Sequence, residues 1–169
     1  MRTLLLLRHA KSDWGDPDAS DHERPLNKRG RRSAPLVGET LRERGLVPDV
    51  VVCSSAVRAQ ETLDGFRDAV GAARVVSEPR IYDASVAMLL ECCRELPADA
   101  DCALVIGHNP GIEELARTLA ATSDDDAAAL LAEGLPTAAL VVLTTDVPWA
   151  DLRPGTAHLS EIGLHAGRA

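Results

Sequence analysis

The sequence is poor in aromatic rings, with two Trp, one Tyr and one Phe among 169 residues. Its core must therefore be built from Leu, Val, Ala and Ile. It also lacks the stacking platforms with which proteins hold single-stranded nucleic acid. Positive charge is short as well. A formal net charge of −8 argues against a general nucleic-acid binder and against adhesion to anionic membranes. A small cationic pocket survives that argument, because a local cluster overrides the average. No apolar run reaches the length of a membrane span. The N-terminus enters a short strand-like run with no cleavage signature. Cysteine is sparse: Cys53, Cys92, Cys93 and Cys102 show no C-x-x-C spacing, and several lie in apolar runs. Buried free thiols in a reducing cytoplasm are the expectation. There is no P-loop, no G-x-G-x-x-G after a strand and no G-x-S-x-G elbow. Zinc would want three or four ligands, and no H-x-H, H-x-x-x-H or E-x-x-H stretch supplies them, so no metal is expected.

What the chain does have is three apolar runs that each end in Arg or His. Leu4 to Leu7 stops at Arg8-His9. Val50 to Cys53 is followed by Ser54-Ser55 and then Arg58, and Ala103 to Ile106 by Gly107-His108-Asn109. Unbroken apolar runs of this length suit strands covered on both faces. In open α/β sheets the carboxyl ends of the strands are where ligands bind. Two arginines and two histidines would meet at one edge.

Between the strands the pattern alternates. Lys11 to Pro25 is polar and reads as a loop that could rim the site. Leu26-Asn27 should cap a helix over 28–44, with Ala34, Val37 and Leu41 inward and Gly45 at its end. Arg29, Arg31 and Arg32 on it read as a solvated basic face. Ser54 or Ser55 is expected to cap a helix running to about Val70, with Arg58 in its first turn. A cation at that end is best explained by a bound anion. A short run over 74–77 and a helix over 86–96 follow, then a strand over 102–106 and a helix over 112–119. A short helix over 124–131 and a strand over 139–143 come next, with an edge strand over 158–162. His158 and His165 read as surface residues. These elements predict one α/β domain over 1–169, a three-layer α/β/α sandwich around a mostly parallel sheet.

The convergent residues suit a tetrahedral dianion. Guanidinium offers a rigid fork of donors to phosphate oxygens and keeps its charge at any relevant pH. Fixed cations stabilise the charge that spreads over the equatorial oxygens during phosphoryl transfer. Neutral imidazole is a competent nucleophile for phosphorus and splits transfer to water into two in-line steps. One ring nitrogen must then be unprotonated and the other held by an acceptor.

These residues match a known pattern. Arg8-His9-Ala10 resembles the R-H-G signature of the histidine phosphatase superfamily, which includes the phosphoglycerate mutases. Residues 54–62, SSAVRAQET, resemble its S-S-x-x-x-R-A-x-Q-T segment, and Gly107-His108 its late G-H motif. Pro25-Leu26-Asn27-Lys28-Arg29-Gly30 resembles its L-T-x-x-G segment, with Asn27 where Thr is usual. The resemblance implies a phosphoglycerate mutase-like fold, His9 as nucleophile, and Arg8, Arg58 and His108 as the phosphate pocket. It implies no cofactor. Ser12 matches a position that often contacts phosphate. The general acid, a Glu in an L-x-E stretch of the family, falls nearest to Asp83 of Ile81-Tyr82-Asp83, with Asp13, Asp16 and Asp18 as rivals. The short interval between Arg58 and His108 implies no lid insertion and an open site. With the form R-H-A-K-S-D-W it is similar to the compact phosphohistidine phosphatase subgroup, whose substrates are phosphohistidine-bearing proteins. A small phosphate ester as substrate, or a phosphate-binding module without turnover, are the alternatives. Neither nucleic acid nor membrane is an expected partner.

Overall fold

A computed structural model of the chain describes residues 1–165; residues 166–169 of the tail lie outside the described part. Seven strands form one sheet in the order β3-β2-β4-β1-β6-β7-β5. They are β1 (Arg2–Arg8), β2 (Val50–Ser54), β3 (Arg74–Glu78), β4 (Cys102–Gly107), β5 (Ala120–Ser123), β6 (Leu140–Thr145) and β7 (Ala157–Gly163). The helices are α1 (Lys28–Glu43), α2 (Val57–Asp64), α3 (Val86–Arg94), α4 (Gly111–Leu119) and α5 (Asp125–Glu133). Most neighbouring pairs are parallel; β6 runs antiparallel to β1 and to β7.

Alternate side chains of β1 enter opposite layers, as the two-residue period of a strand requires. Leu4 and Leu6 join α3, α4 and α5 on one face, with Trp149 packed among them. Leu5 and Leu7 join α1 and α2 on the other. The expected three-layer α/β/α sandwich around a mostly parallel sheet is therefore present. Buried on both faces, β1 has no reason to alternate polar and apolar residues, which explains the run of four leucines.

Helix α1 opens where its cap predicts, the Asn27 side chain accepting from the Gly30 N–H at 2.9 Å. Gly30 lies hard against the rim loop, where an added Cβ would sit 2.1 Å from the Lys11 carbonyl oxygen. That contact seats the loop directly downstream of His9.

Four expectations are corrected. Helix α2 ends at Asp64 and not near Val70, and neither Ser54 nor Ser55 caps it; its N-cap is Ala56. At its end Gly65 packs on α1, where a Cβ would meet the Ala34 Cβ at 2.6 Å, and Phe66 beyond it is buried. A separate 3₁₀ turn covers Arg67–Val70. Strand β7 is interior and not an edge, because β5, a strand with no apolar run to announce it, pairs along its outer side. His165 is buried at 5% exposure, with Nδ1 donating to the Ala138 carbonyl at 2.8 Å and Nε2 facing the Thr40 hydroxyl at 2.7 Å.

All four cysteines are free thiols, with Cys53, Cys92 and Cys93 buried. Burial pushes the Cys53 and Cys93 thiols up to about 12, so neither is a nucleophile at neutral pH. Among the described residues no helix is long and apolar enough to cross a membrane.

Candidate active site

Sheet register brings the three motif ends level. Arg8 pairs with Gly107 across β1 and β4, and Cys53 with Ile106 across β2 and β4. The His9 N–H then donates to the Gly107 carbonyl at 3.0 Å, which sets residue 9 beside residue 108. Their ring centroids lie 5.1 Å apart. Arg58 arrives from the first turn of α2. A cavity of about 340 Å³ opens at this edge, and Arg8, His9, Ser12, Arg58, Asp83 and His108 all line it. Four cations (Arg8, Lys11, Arg24 and Arg58) and two carboxylates (Asp21 and Asp83) border it, a net positive patch on an acidic chain.

The His9 ring is 7% exposed, and its Nδ1 lies 2.6 Å from the Ala10 carbonyl oxygen. A carbonyl only accepts, so Nδ1 carries the hydrogen and Nε2 keeps a free lone pair. Burial above all, then the charges of Arg58, Arg8 and Arg24, push the His9 pKa down to about 4. The His108 Nε2 lies 2.7 Å from the Ser54 Oγ, and that oxygen already accepts from the Ala56 N–H at 3.2 Å. A hydroxyl that donates to Nε2 leaves the His108 proton on Nδ1, the ring nitrogen that has no partner. Burial, His9 and Arg58 lower the His108 pKa to about 3. The two serines expected as helix caps thus serve histidines, since Ser55 Oγ lies 2.9 Å from the His22 Nε2.

Arg58 is 5% exposed and gives both terminal nitrogens to one residue, Nη1 to the Asp21 carbonyl at 2.6 Å and Nη2 to the Asp21 carboxylate at 3.1 Å. The anion expected at this helix end is therefore internal. Tyr82 donates its hydroxyl to the same carboxylate at 2.6 Å, and Arg24 adds its Nε at 3.0 Å. The Tyr82 hydroxyl first, then Arg58 and Arg24, hold the Asp21 carboxyl down at about 2. Arg8 donates Nη1 to the Leu135 carbonyl at 2.7 Å. Ser12 accepts from Arg24 Nη1 at 2.8 Å.

Asp83 sits on the rim in the left-handed region at φ 52°. Its sequence rivals lie elsewhere: Asp13 caps the Gly15 N–H, Asp16 caps the Asp18 N–H, and none of Asp13, Asp16 and Asp18 lines the cavity. Arg29 and Arg32 are exposed on α1, and Arg31 donates to the Leu26 carbonyl at 2.6 Å. Asp21, Arg24 and Tyr82 are among the lining residues that the sequence did not single out. Their one sequence sign is the three-residue spacing of Asp21 and Arg24, which suits a local ion pair.

The buried imidazoles have a consequence for stability. In the unfolded chain both titrate near 6.5. Between pH 6.5 and 4 the unfolded state therefore binds more protons than the folded one, so stability rises with pH across that window and is lost as pH falls through it. The His165 pKa, lowered by burial, acts in the same direction. A Tm that is level above pH 7 and declines steadily from pH 6.5 towards 4 is expected in a thermal-unfolding series. A Tm independent of pH down to 4 would contradict neutral, buried rings.

Comparison with known proteins agrees with this geometry. The model of the histidine phosphatase superfamily (branch 1) matches residues 4–88. An uncharacterised protein of Mycobacterium tuberculosis is 38% identical over 164 residues, covering 96% of this chain and 100% of that one. A solved candidate phosphohistidine phosphatase SixA from Nakamurella multipartitia superposes with a TM-score of 0.83 at 34% identity, covering 98% of this chain and 97% of that one. A second such candidate, from Agrobacterium tumefaciens, gives 0.79 at 26% identity, with 96% and 98% covered. The chain belongs to the histidine phosphatase superfamily, among its SixA-like members.

Proposed function

We propose that this protein removes phosphoryl groups from phosphohistidine on a partner protein, through a covalent intermediate on His9. The observation that carries the reading is a set of unsatisfied donors. Among the described residues, four buried side-chain nitrogens have no hydrogen-bond partner, and three of them are Arg8 Nε, Arg58 Nε and His108 Nδ1. A buried donor left unpaired costs on the order of 1–3 kcal/mol. Three such groups on residues that share one cavity suit an acceptor with three equivalent oxygens, which a phosphoryl group is.

In the first step His9 Nε2 attacks phosphorus in line, its P–N bond forming as the bond to the substrate's imidazole breaks. The leaving nitrogen takes a proton. Asp83 is the lining carboxyl that no arginine holds among the described residues, and it is the donor this reading assigns. In the second step water attacks phosphorus, His9 Nε2 leaves, the water's proton returns to Asp83, and phosphate is released. Arg8, Arg58 and His108 donate to the equatorial oxygens in both steps, with Ser12 beside them. A metal or cofactor has no part in either step as proposed.

The phosphohistidine phosphatases named among the similar structures support the substrate class, as does the lability of the P–N bond, which asks little of the acid. Isotope from a labelled phosphohistidine protein should appear transiently on His9 after an alkaline quench and be lost in acid. Absence of label on the chain would end the covalent route. A panel of sugar and aryl phosphates tests the substrate: far faster turnover of a sugar phosphate would replace the protein substrate with a small ester.

A further inference from the structure

Of the four aromatic residues in the chain, two are core: Phe66 is 3% exposed and Trp149 1%. The other two, Trp14 and Tyr82, both line the phosphoryl cavity. A phosphate dianion gives no reason for this. The face of an aromatic ring carries partial negative charge, so it repels an anion and attracts flat, polarisable or cationic groups. A chain this short of rings has placed every ring it does not bury beside one anion site.

Trp14 is the more informative of the pair, being 74% exposed. A single exposed apolar residue is ordinary on a protein surface, but this one is held. The Arg24 guanidinium lies 3.5 Å from its ring centroid. Arg24 itself is 9% exposed and fixed by bonds to Asp21, Ser12 and the Asp13 carbonyl. A guanidinium so anchored is a rigid backing for the indole. It covers one face and leaves the ring otherwise open at the mouth of the cavity. Tyr82 is spent differently, its hydroxyl tied to Asp21 and its ring set edge-on to His22 and His108.

The geometry points to Trp14, stacked on Arg24, as the platform on which a flat, conjugated leaving group lies. The substrate class is then phosphoryl groups carried on imidazole or another planar ring, in preference to aliphatic alcohols and amines. This inference rests on the phosphoryl pocket proposed above, though not on turnover, and deepens it by naming what selects the leaving group.

The test uses phenylphosphonate and methylphosphonate, which share the anion and differ in the ring. In calorimetric titrations of the whole protein, phenylphosphonate should bind about ten-fold more tightly, the scale of one aromatic stacking contact. In Trp14→Ala that preference should fall to two-fold or less with methylphosphonate affinity unchanged, and Trp14→Phe should restore most of it. No preference in the native protein, a preference that persists in Trp14→Ala, or equal weakening of both ligands would overturn the platform. Binding of neither ligand would overturn it together with the pocket. If the ring preference holds while no phosphohistidine protein is hydrolysed, the proposed reaction fails and the platform stands. If hydrolysis is brisk and Trp14→Ala leaves the ligand ratio intact, the platform alone fails.

Discussion

His9→Ala is expected to lower kcat by about four orders of magnitude or more, the scale seen when a catalytic nucleophile is deleted. Binding should survive. The three unpartnered donors belong to Arg8, Arg58 and His108, and none of them depends on the His9 ring for its place. Methylphosphonate affinity should therefore change little while turnover disappears. The loss of stability should be modest, because the ring borders the cavity and bonds only the Ala10 carbonyl. The comparison to make is single-turnover rate against ligand affinity on the same preparation. A His9→Ala protein that retains a hundredth of native activity would show that the phosphoryl group never passes through residue 9.

Arg58→Ala should cost about a hundred- to a thousand-fold in kcat, the usual loss for one preorganised donor to a developing charge. A second effect follows from the Asp21 contact. Without Arg58, Asp21 keeps Tyr82 and Arg24 but loses two hydrogen bonds. Since Asp21 is about half exposed, the loss of stability should be modest, about 1 kcal/mol. Asp21→Asn in the Arg58→Ala background should recover neither stability nor rate, because Tyr82 and Arg24 still hold the carboxylate. Arg58→Lys should recover little rate as well. A single ammonium cannot span Asp21 and donate inward, as a guanidinium does with its two Nη groups and its Nε. Native kcat/KM in Arg58→Ala would remove this residue from the reaction.

The parts of the site that can be read from sequence are those carried on regular elements. Arg8, His9 and His108 sit at the ends of apolar runs, where strand register places them, and Arg58 falls in the first turn of a helix. Asp21, Arg24 and Tyr82 belong to loops and single 3₁₀ turns, where no period exists, and Asp21 is tied to Arg58 and Tyr82 by bonds between side chains far apart in sequence. Ser54 misleads for the same reason: a serine after a strand suits a helix cap, and only the approach of β4 makes it a partner for His108. His165 reads as surface because nothing local shows that the Ala138 carbonyl and the Thr40 hydroxyl will close around it. The outer part of the sheet fails differently. The segment Ala120–Ser123 is four small or polar residues, and its strand exists only because β7 offers it a ladder.

The central place of β1 has one more consequence, for the order of events during synthesis. This strand is made before both of its partners, Cys102–Gly107 on one side and Leu140–Thr145 on the other. Until those segments leave the ribosome, the leucines of residues 4–7 have no sheet neighbours and the histidine behind them has no second ring. The candidate site is thus incomplete until those later strands have been made, and the distant pairing makes its closure slow.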